Sequence, residues 1–315
     1  MDSSELQKLA GRTRSMREAG VALLICSGIL AFFFFIPQTS RQEAQQPITT
    51  ATSTAPDAFA NVPLQATAAI VYDLATGETL YAKNADTQLP LASLTKLLTV
   101  YAALVELSPT TLITIEANAT RITAPHVFNE GQVFALADLA RLTLTASLND
   151  GAVAIAQATA ERKNQTTAAA LASAAAALDL SQTYALNGSG LDESTAVSGG
   201  YGSARDLARL AGALVAIAPE VAAATTHSTA QAVSEGGTLY SVKNTDPIVG
   251  TLPRLLLSKT GFTDLAGGNL ALVFDASIGH PVAVVVLGST QKDRFTDGNT
   301  LVAAALAHFA GVASL

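Results

Sequence analysis

Strand-like segments lie towards both ends of this sequence, and a long region with helical spacing of apolar residues separates them. Residues 66–73 and 79–84 predict two strands that form a hairpin around Gly77. Three more strands are predicted much later in the sequence, at residues 255–260, 269–274 and 282–287. This order describes one antiparallel sheet that is completed from both ends of the sequence. We therefore expect an α/β (α+β) fold, with helices covering the sheet on both faces.

The region between the two groups of strands is predicted to be an all-helical block. Apolar residues recur at helical spacing in several of its segments, and an alanine-rich segment favours helix through its intrinsic propensity. The predicted helices of the block are residues 136–146, 152–159, 166–178 and 203–217, and one more helix, 300–309, follows the last strand. With 315 residues, of which 49% are hydrophobic, the chain can bury a large core.

Another predicted helix begins just after Pro90 and runs to about Leu107. Ser93 falls in its first turn, where free backbone N–H groups and the helix dipole favour developing negative charge. Lys96 lies three residues further on, so its amine can meet the Ser93 hydroxyl. The pair indicates a serine nucleophile with a lysine base, although on its own it also fits an ordinary amphipathic helix.

Two later motifs carry polar side chains that suit the same chemistry. Ser147 and Asn149 lie in a break between two predicted helices, where a plain connecting loop would also fit. Lys259, Thr260 and Gly261 end an apolar strand. They would present a cation and a hydroxyl to a cleft, and the glycine would let a substrate backbone lie against the strand.

The order of these three motifs resembles the signature set of penicillin-binding proteins and serine β-lactamases. The likeness continues outside the motifs and covers nearly all of the sequence from Leu64 to the end. The segments similar to the low-molecular-mass D-alanyl-D-alanine carboxypeptidases, serine peptidases of the S11 kind, are 92–99, 131–139, 147–150, 189–192, 203–208, 259–267 and 287–295. The resemblance implies a serine β-lactamase/D,D-peptidase-like fold and a serine hydrolase.

The resemblance assigns three residues to catalysis. Ser93 would attack the carbonyl carbon of the terminal D-Ala-D-Ala peptide bond and form an acyl-enzyme. Lys96 would take the proton of Ser93, which requires a pKa below the ordinary value of about 10.4. Burial, the helix N-terminus and the cation Lys259 would all lower that pKa. Ser147 would relay a proton to the leaving amine.

The resemblance also assigns residues to substrate binding. Asn149 would orient the lysine base and bind the substrate amide. Lys259 would supply positive potential, and Thr260 would bind the terminal carboxylate. The backbone N–H groups of Ser93 and Phe262 would form the oxyanion hole.

The partners implied by the resemblance are the stem peptide of peptidoglycan, as substrate, and β-lactam antibiotics, as covalent inhibitors. No cofactor is implied. The four histidines are scattered without the spacing of metal ligands, and the single Cys26 excludes an internal disulfide and a cysteine-based metal site. The net charge of −7, without a basic run, argues against nucleic acid as a partner.

An apolar run at residues 19–36 precedes the predicted domain. Its length suits a membrane-spanning helix and exceeds the core of a typical signal peptide. Four basic residues come before it, namely Lys8, Arg12, Arg14 and Arg17. By the positive-inside rule, residues 1–18 are then a cytoplasmic tail and the rest of the chain lies outside the cytoplasm.

Residues 37–63, which are rich in Gln, Thr, Ser, Ala and Pro, are predicted to be a flexible spacer. Residues 64–315 would form the catalytic domain, on the extracytoplasmic side of a bacterial cell membrane. A cleaved signal peptide is the competing interpretation. The Ala-x-Ala site at residues 58–60 lies far beyond the apolar run, which favours an uncleaved single-pass anchor.

Other functions fit part of this pattern. A class A β-lactamase shares the three motifs but needs a deacylating glutamate, usually in a Glu-x-x-Leu-Asn segment well after the second motif. Glu161 lacks that leucine and comes too soon, and Glu193 has no such context. A non-catalytic binding module of the same fold would have no need of the full polar set. Endopeptidase activity on peptide cross-links fits the sequence as well as carboxypeptidase activity does.

One residue departs from the family pattern. The middle residue of the second motif is usually small, and here it is Leu148. We expect this bulk to bear on the shape of the cleft wall, and not on the two polar side chains beside it.

Overall fold

The main sheet combines strands from the two ends of the chain, as the strand pattern predicts. The computed structural model describes residues 57–311. The strands in this part of the chain are β1 (Ala68–Asp73), β2 (Thr79–Lys83), β3 (Leu89–Pro90), β4 (Leu112–Thr114), β5 (Val133–Ala135), β6 (Tyr184–Ala185), β7 (Gly200–Gly202), β8 (Thr229–Val233), β9 (Leu239–Lys243), β10 (Leu255–Thr263), β11 (Gly267–Ser277) and β12 (His280–Ser289). Five of them form an antiparallel sheet in the order β10-β11-β12-β1-β2. The early hairpin is therefore completed by the last three strands.

Most helices lie between β2 and β10 in the chain and form the predicted helical block. The α-helices of residues 57–311 are α1 (Thr95–Glu106), α2 (Ala117–Thr120), α3 (Leu136–Ala146), α4 (Asn149–Lys163), α5 (Thr167–Ala177), α6 (Ala204–Ile217), α7 (Pro219–Ala224) and α8 (Asp293–Ala310). Two of them begin with side-chain caps. Thr166 Oγ1 accepts from the backbone N–H of Ala169, and Ser203 Oγ accepts from that of Asp206.

The sheet separates two hydrophobic cores because successive side chains of a strand point to opposite faces. On one face, Ile70 and Val285 belong to the larger core, together with the buried apolar residues of α1, α3 and α6. On the other face, Val71 and Val284 pack with Leu301 of α8. The predicted arrangement, one antiparallel sheet with helices on both faces, is therefore confirmed.

Some elements differ from the prediction because polar residues hide the apolar spacing. Helix α4 begins at Asn149, earlier than the predicted 152, and its first turn holds the acidic Asp150. Helix α8 begins at Asp293, earlier than the predicted 300, since its first turns bury the polar Arg294 and Asp297. The β8–β9 hairpin was not predicted, because its inward residues include small alanines, which are weak strand formers.

The packed part of the chain begins ahead of the predicted boundary at Leu64. Ala58 and Phe59 are buried and belong to the smaller core. The Phe59 ring stacks on Tyr81 with 5.8 Å between the ring centroids. The last residues of the predicted spacer are thus ordered by apolar contacts. The predicted tail 1–18, the predicted span 19–36 and most of the predicted spacer lie outside the described residues. Within residues 57–311, no helix is long and apolar enough to cross a membrane.

Candidate active site

The predicted nucleophile Ser93 lies in a tight turn directly before α1. Ala92–Leu94 form a single 3-10 turn. Ala92 has a left-handed backbone with φ of +49°, a conformation that costs a non-glycine residue on the order of 1–3 kcal/mol. Gly190 packs so closely that a Cβ there would overlap the Ala92 carbonyl oxygen. Ser93 is therefore held half-buried by a tightly packed turn.

The predicted base, Lys96, is fully buried in the first turn of α1. Its Nζ has three hydrogen-bond partners, which are Ser93 Oγ at 2.8 Å, Asn149 Oδ1 at 2.8 Å and the Ser189 carbonyl oxygen at 2.7 Å. The first partner is the nucleophile and the second comes from the Ser-x-Asn motif. The third comes from a loop to which the sequence analysis assigned no role.

The environment of Lys96 favours a neutral amine. Burial, followed by the charge of Lys259, holds the pKa of Lys96 well below its usual range, while Asp150 acts in the opposite direction. A neutral amine has two N–H donors and one lone pair. The amide oxygen of Asn149 and the carbonyl oxygen of Ser189 can only accept, so they take the two N–H groups. The lone pair then faces the Ser93 hydroxyl, which donates.

Ser147 and Asn149 lie where α3 ends and α4 begins. Ser147 has a left-handed backbone with φ of +58°, a common way to end a helix. Asn149 is buried, and its Nδ2 donates to the Thr123 carbonyl oxygen at 2.8 Å. One Nδ2 hydrogen remains for a substrate amide. Leu148 is only 2% exposed and belongs to the larger core, so its bulk is taken up there and not in the cleft wall.

Lys259 is buried on β10 and connects the third motif to the second. Its Nζ donates to Ser147 Oγ at 2.9 Å and to the Thr260 carbonyl oxygen at 2.8 Å. Burial, followed by the charge of Arg294, lowers the pKa of Lys259 to about 7, and Asp246 opposes this shift. Lys259 is therefore a cation whose charge is lost close to neutral pH.

Strand β10 then passes beside the nucleophile. A Cβ at Gly261 would lie 3.2 Å from the Ser93 backbone nitrogen and 2.9 Å from the Leu91 carbonyl oxygen, so a side chain there would fill the gap. Phe262 follows on the same strand, and its side chain is exposed. The segment with the predicted oxyanion N–H of Phe262 thus runs alongside Ser93. All seven predicted site residues belong to this one region, namely Ser93, Lys96, Ser147, Asn149, Lys259, Thr260 and Phe262. Among residues 57–311, no group of three or more His, Cys, Asp or Glu is placed to hold a metal ion.

Comparison with known proteins agrees with this geometry. The family model described as D-alanyl-D-alanine carboxypeptidase, peptidase family S11, matches residues 50–291, which is more than half of the chain. The chain belongs to this family. It is therefore a serine hydrolase, and the resemblance inferred from the motifs is confirmed.

Individual relatives support the same conclusion. A D-alanyl-D-alanine endopeptidase of Pseudomonas aeruginosa is 30% identical over 264 residues, which cover 81% of this chain and 83% of the relative. Penicillin-Binding Protein D2 from Listeria monocytogenes, solved in an ampicillin-bound form, is 28% identical with a TM-score of 0.66, covering 78% of this chain and 99% of its own. A D-alanyl-D-alanine carboxypeptidase from Mycobacterium tuberculosis H37Rv is 25% identical with a TM-score of 0.68, covering 82% of this chain and 99% of its own. The predicted serine β-lactamase/D,D-peptidase-like fold is confirmed.

Two charged residues near Lys259, Asp246 and Arg294, lie outside the three sequence motifs of this S11 family member. Asp246 is buried, and its Oδ2 accepts a hydrogen bond from Ser258 Oγ at 2.5 Å. Arg294, in the first turn of α8, donates to the Gly261 carbonyl oxygen at 2.5 Å. Their opposite effects on the pKa of Lys259 make them part of the electrostatics of the site. The only sequence signal for Arg294 was its place in the family-like segment 287–295.

Two further residues, Thr245 and Ser189, contact predicted site residues directly. Thr245 Oγ1 lies 2.6 Å from Thr260 Oγ1, and the Ser189 carbonyl oxygen accepts from Lys96. No side-chain pattern marks Ser189, because it acts through its backbone. Its place in a glycine-rich loop was the only signal. Thr245 lies beside Thr260 because the segment after β9 returns along β10, which the sequence alone did not indicate.

Proposed function

We propose that this protein is a membrane-anchored serine D,D-carboxypeptidase, which removes the terminal D-Ala of peptidoglycan stem peptides through an acyl-enzyme on Ser93. The observation that carries the proposal is the buried Lys96 amine, which lies 2.8 Å from Ser93 Oγ and has acceptors for its two N–H groups in Asn149 and Ser189. A non-catalytic binding module is disfavoured, because burying a lysine beside a serine opposes folding and needs a compensating purpose.

Acylation begins when Ser93 gives its proton to the lone pair of Lys96 and its Oγ bonds to the carbonyl carbon of the D-Ala-D-Ala peptide bond. The backbone N–H groups of Ser93 and Phe262 stabilise the oxyanion, at about 3 kcal/mol per donor. The C–N bond then breaks, and the proton reaches the leaving D-Ala nitrogen through Ser147. The charge of Lys259 stabilises the Ser147 oxygen while its proton is in transit.

Deacylation uses one water molecule. Lys96, neutral again after the first step, takes a proton from the water as its oxygen attacks the ester carbonyl. The bond to Ser93 Oγ breaks, and the serine regains the proton. The net reaction consumes one water and yields one D-Ala and one shortened peptide. During acylation, Lys259 and the Thr260 hydroxyl would hold the terminal carboxylate of the substrate, which then departs with D-Ala.

β-Lactam antibiotics are proposed as covalent inhibitors of the same serine. Their strained amide offers Ser93 a carbonyl carbon, and their carboxylate suits the pocket at Lys259 and Thr260. The amine released by ring opening stays tethered to the acyl group, so it does not leave the site. The Listeria relative solved with ampicillin bound supports this proposal.

The membrane anchor is proposed from the sequence. The apolar run 19–36 and the basic residues before it favour a single-pass helix, with residues 1–18 in the cytoplasm and the catalytic domain outside the bacterial cell membrane. External protease added to intact spheroplasts should release a fragment that begins within residues 37–63. Protection of the domain until the membrane is lysed would contradict this orientation.

A D,D-endopeptidase is the second candidate, because the Pseudomonas aeruginosa relative carries that name. The chemistry would be the same, but the leaving group would be the cross-linking amine of a neighbouring stem peptide instead of free D-Ala. The two activities differ in product. An endopeptidase would split a purified pair of cross-linked stem peptides into two separate stem peptides, whereas a carboxypeptidase would release free D-Ala from a stem pentapeptide.

The deciding experiment measures free D-alanine released from a stem pentapeptide by the detergent-solubilised 315-residue chain. Release should be abolished by Ser93→Ala and retained by Ser173→Ala, because the Ser173 hydroxyl only donates to the Ala169 carbonyl oxygen within α5. Intact-protein mass spectrometry with a labelled penicillin should show one adduct, which Ser93→Ala removes. Stoichiometric labelling that survives Ser93→Ala would defeat the proposal.

A further inference from the structure

The orientation of the Lys96 amine depends on a loop outside the three motifs. The Ser189 carbonyl oxygen, 2.7 Å from Lys96 Nζ, takes one of its N–H groups. If this acceptor moved away, the amine could turn an N–H towards Ser93, and the lone pair would no longer meet the hydroxyl. The position of one backbone carbonyl therefore decides whether the base is aimed at the nucleophile.

The side chain of Asn187 forms the centre of this loop, residues 187–193. Its Oδ1 accepts from Ser189 N at 3.1 Å, from Ser189 Oγ at 3.0 Å and from Gly190 N at 2.8 Å. Its Nδ2 donates to the Leu191 carbonyl oxygen at 3.0 Å and to Glu193 Oε1 at 2.5 Å. One amide thus makes five hydrogen bonds within the loop, three of them to the residue that holds Lys96 and its successor.

The loop is also fastened to the nucleophile helix on both sides of Ser189. Thr99 Oγ1 of α1 donates to the Gly188 carbonyl oxygen at 2.7 Å. Gly190, with φ of +76°, packs against the Ala92 carbonyl oxygen, where a Cβ has no room. With both neighbours fixed, the remaining freedom of Ser189 is rotation of its peptide groups, and the bonds to Asn187 restrain that rotation.

We propose that Asn187 is a positioning residue for catalysis, whose side chain fixes the Ser189 carbonyl and thereby keeps the Lys96 lone pair on Ser93. The inference rests on the proposed function in one respect, since it requires Lys96 to be the base. Asn187 acts through Ser189, and its own amide is occupied within the loop. Its loss should therefore slow the acylation step and leave the binding of the ligand unchanged.

The test is rapid-mixing acylation of the detergent-solubilised 315-residue chain by a fluorescent penicillin. It separates the dissociation constant of the non-covalent complex from the first-order acylation constant, and a titration of adduct gives the active fraction. Asn187→Ala should lower the acylation constant about 10–100-fold, as a misplaced catalytic group does, with the dissociation constant unchanged within twofold. Asn84→Ala is the matched control, because Asn84, like Asn187, donates from Nδ2 to a backbone carbonyl oxygen, that of Thr67, and it lies just after β2.

A donor–acceptor exchange gives a second, independent readout. Asn187→Asp keeps the acceptor for the three donors but places a carboxylate against Glu193, so it should slow acylation. Adding Glu193→Gln restores a donor opposite that carboxylate and should recover at least part of the rate. These two variants decide the matter if Asn187→Ala does not fold.

The outcomes distinguish this inference from the proposed function. Failure of the unsubstituted chain and of Asn84→Ala to form an adduct would defeat the proposed function itself. Normal acylation per active site in Asn187→Ala, or a change in the dissociation constant alone, would overturn only the role of Asn187. Equal slowing of acylation in Asn187→Asp and in the double variant Asn187→Asp/Glu193→Gln would also overturn only the role of Asn187.

Discussion

Lys259 Nζ donates to Ser147 Oγ across 2.9 Å, and this bond joins strand β10 to the turn between α3 and α4. The same cation therefore connects residues of the second and third motifs. Burial, followed by the charge of Arg294, lowers the pKa of Lys259 to about 7. Lys259, which we propose also binds the substrate carboxylate, is therefore charged in only part of the physiological pH range.

We expect kcat/KM for a D-Ala-D-Ala peptide to fall as pH rises through about 7, because kcat/KM reports groups of the free enzyme. Below that pH, Lys259 is protonated and attracts the carboxylate, and above it the neutral amine does not. Lys96 has the opposite requirement, since it must be neutral, and burial, followed by the charge of Lys259, lowers its pKa in that direction. The measurement is the pH profile of D-alanine release from pH 5 to 9, roughly the range in which such groups titrate.

A substrate that ends in a carboxamide provides the control for this profile. It has no carboxylate for Lys259 to attract. Its reaction should be slower, and its kcat/KM should lack the part of the decline with pH that comes from carboxylate binding. With the substrate that ends in a carboxylate, Lys259→Arg should move the decline in kcat/KM to higher pH, because a guanidinium stays charged throughout. An unchanged profile in Lys259→Arg would assign the decline to another group.

Thr245 should affect the affinity for the substrate through the Thr260 hydroxyl. The two Oγ1 atoms are 2.6 Å apart. If Thr245 donates in this contact, the Thr260 proton is free to point to the substrate carboxylate. Thr245→Val removes the donor and should raise KM about 2–10-fold, the worth of one ordinary hydrogen bond, with kcat little changed. Thr245→Ser keeps the hydroxyl and should restore KM. A rise in KM of equal size in both variants would show that the methyl group matters and the hydroxyl does not.

Asp297 should contribute to stability and not to catalysis. Its carboxylate, buried in α8, accepts from the backbone N–H groups of Gln65 and Ala66 and from Ser289 Oγ at 2.7–3.0 Å. It thus ties the chain before β1 to the end of β12. Asp297→Ala leaves these donors, two of which belong to the buried residues Ala66 and Ser289, without this acceptor and should lower the free energy of unfolding by about 2–4 kcal/mol. Denaturant unfolding measures this change. Asp275→Asn is the control, because the side-chain carboxylate of Asp275 accepts only a long bond of 3.3 Å, from the backbone N–H of Gly279. Equal losses in the two variants would contradict the special role of Asp297.

The strands of the main sheet could be predicted because each has a local pattern of its own. Strand β1, predicted at 66–73, is observed at Ala68–Asp73, and β12, predicted at 282–287, is observed at His280–Ser289. Both are continuous runs of β-branched and aliphatic residues between turns. The start of α8 could not be predicted in this way. Arg294 and Asp297 both contact distant parts of the chain, and no local pattern records those contacts.

The same distinction applies to the site. Ser93, Lys96 and Lys259 could be singled out because each would act through a side chain of characteristic chemistry at a characteristic spacing. Ser189 acts through a carbonyl that any residue carries, and Asn187 matters only because of how its loop closes on α1. The buried position of Leu148 also depended on tertiary packing, since its side chain turns into the core between two polar neighbours that face the cleft.

The fate of the acyl-enzyme with penicillin separates the proposed peptidase from a β-lactamase. Rapid release of a penicilloyl group requires a carboxylate poised over a water near Ser93. The carboxylate whose charge raises the pKa of Lys96 is that of Asp150. Its Oδ2 accepts from the backbone N–H groups of Val127 and Phe128 at 2.7 and 2.8 Å, so it is committed to holding that loop.

We therefore expect the penicilloyl adduct on Ser93 to persist for minutes or longer after free drug is removed, while D-Ala-D-Ala peptides turn over. In the peptide reaction the leaving D-Ala diffuses away, which opens the space for water, whereas the tethered amine of the opened β-lactam stays. Intact-protein mass spectrometry follows decay of the adduct, and D-alanine release from a stem pentapeptide is measured on the same preparation. Loss of the adduct within seconds, without release of D-alanine, would reverse the choice between the two activities.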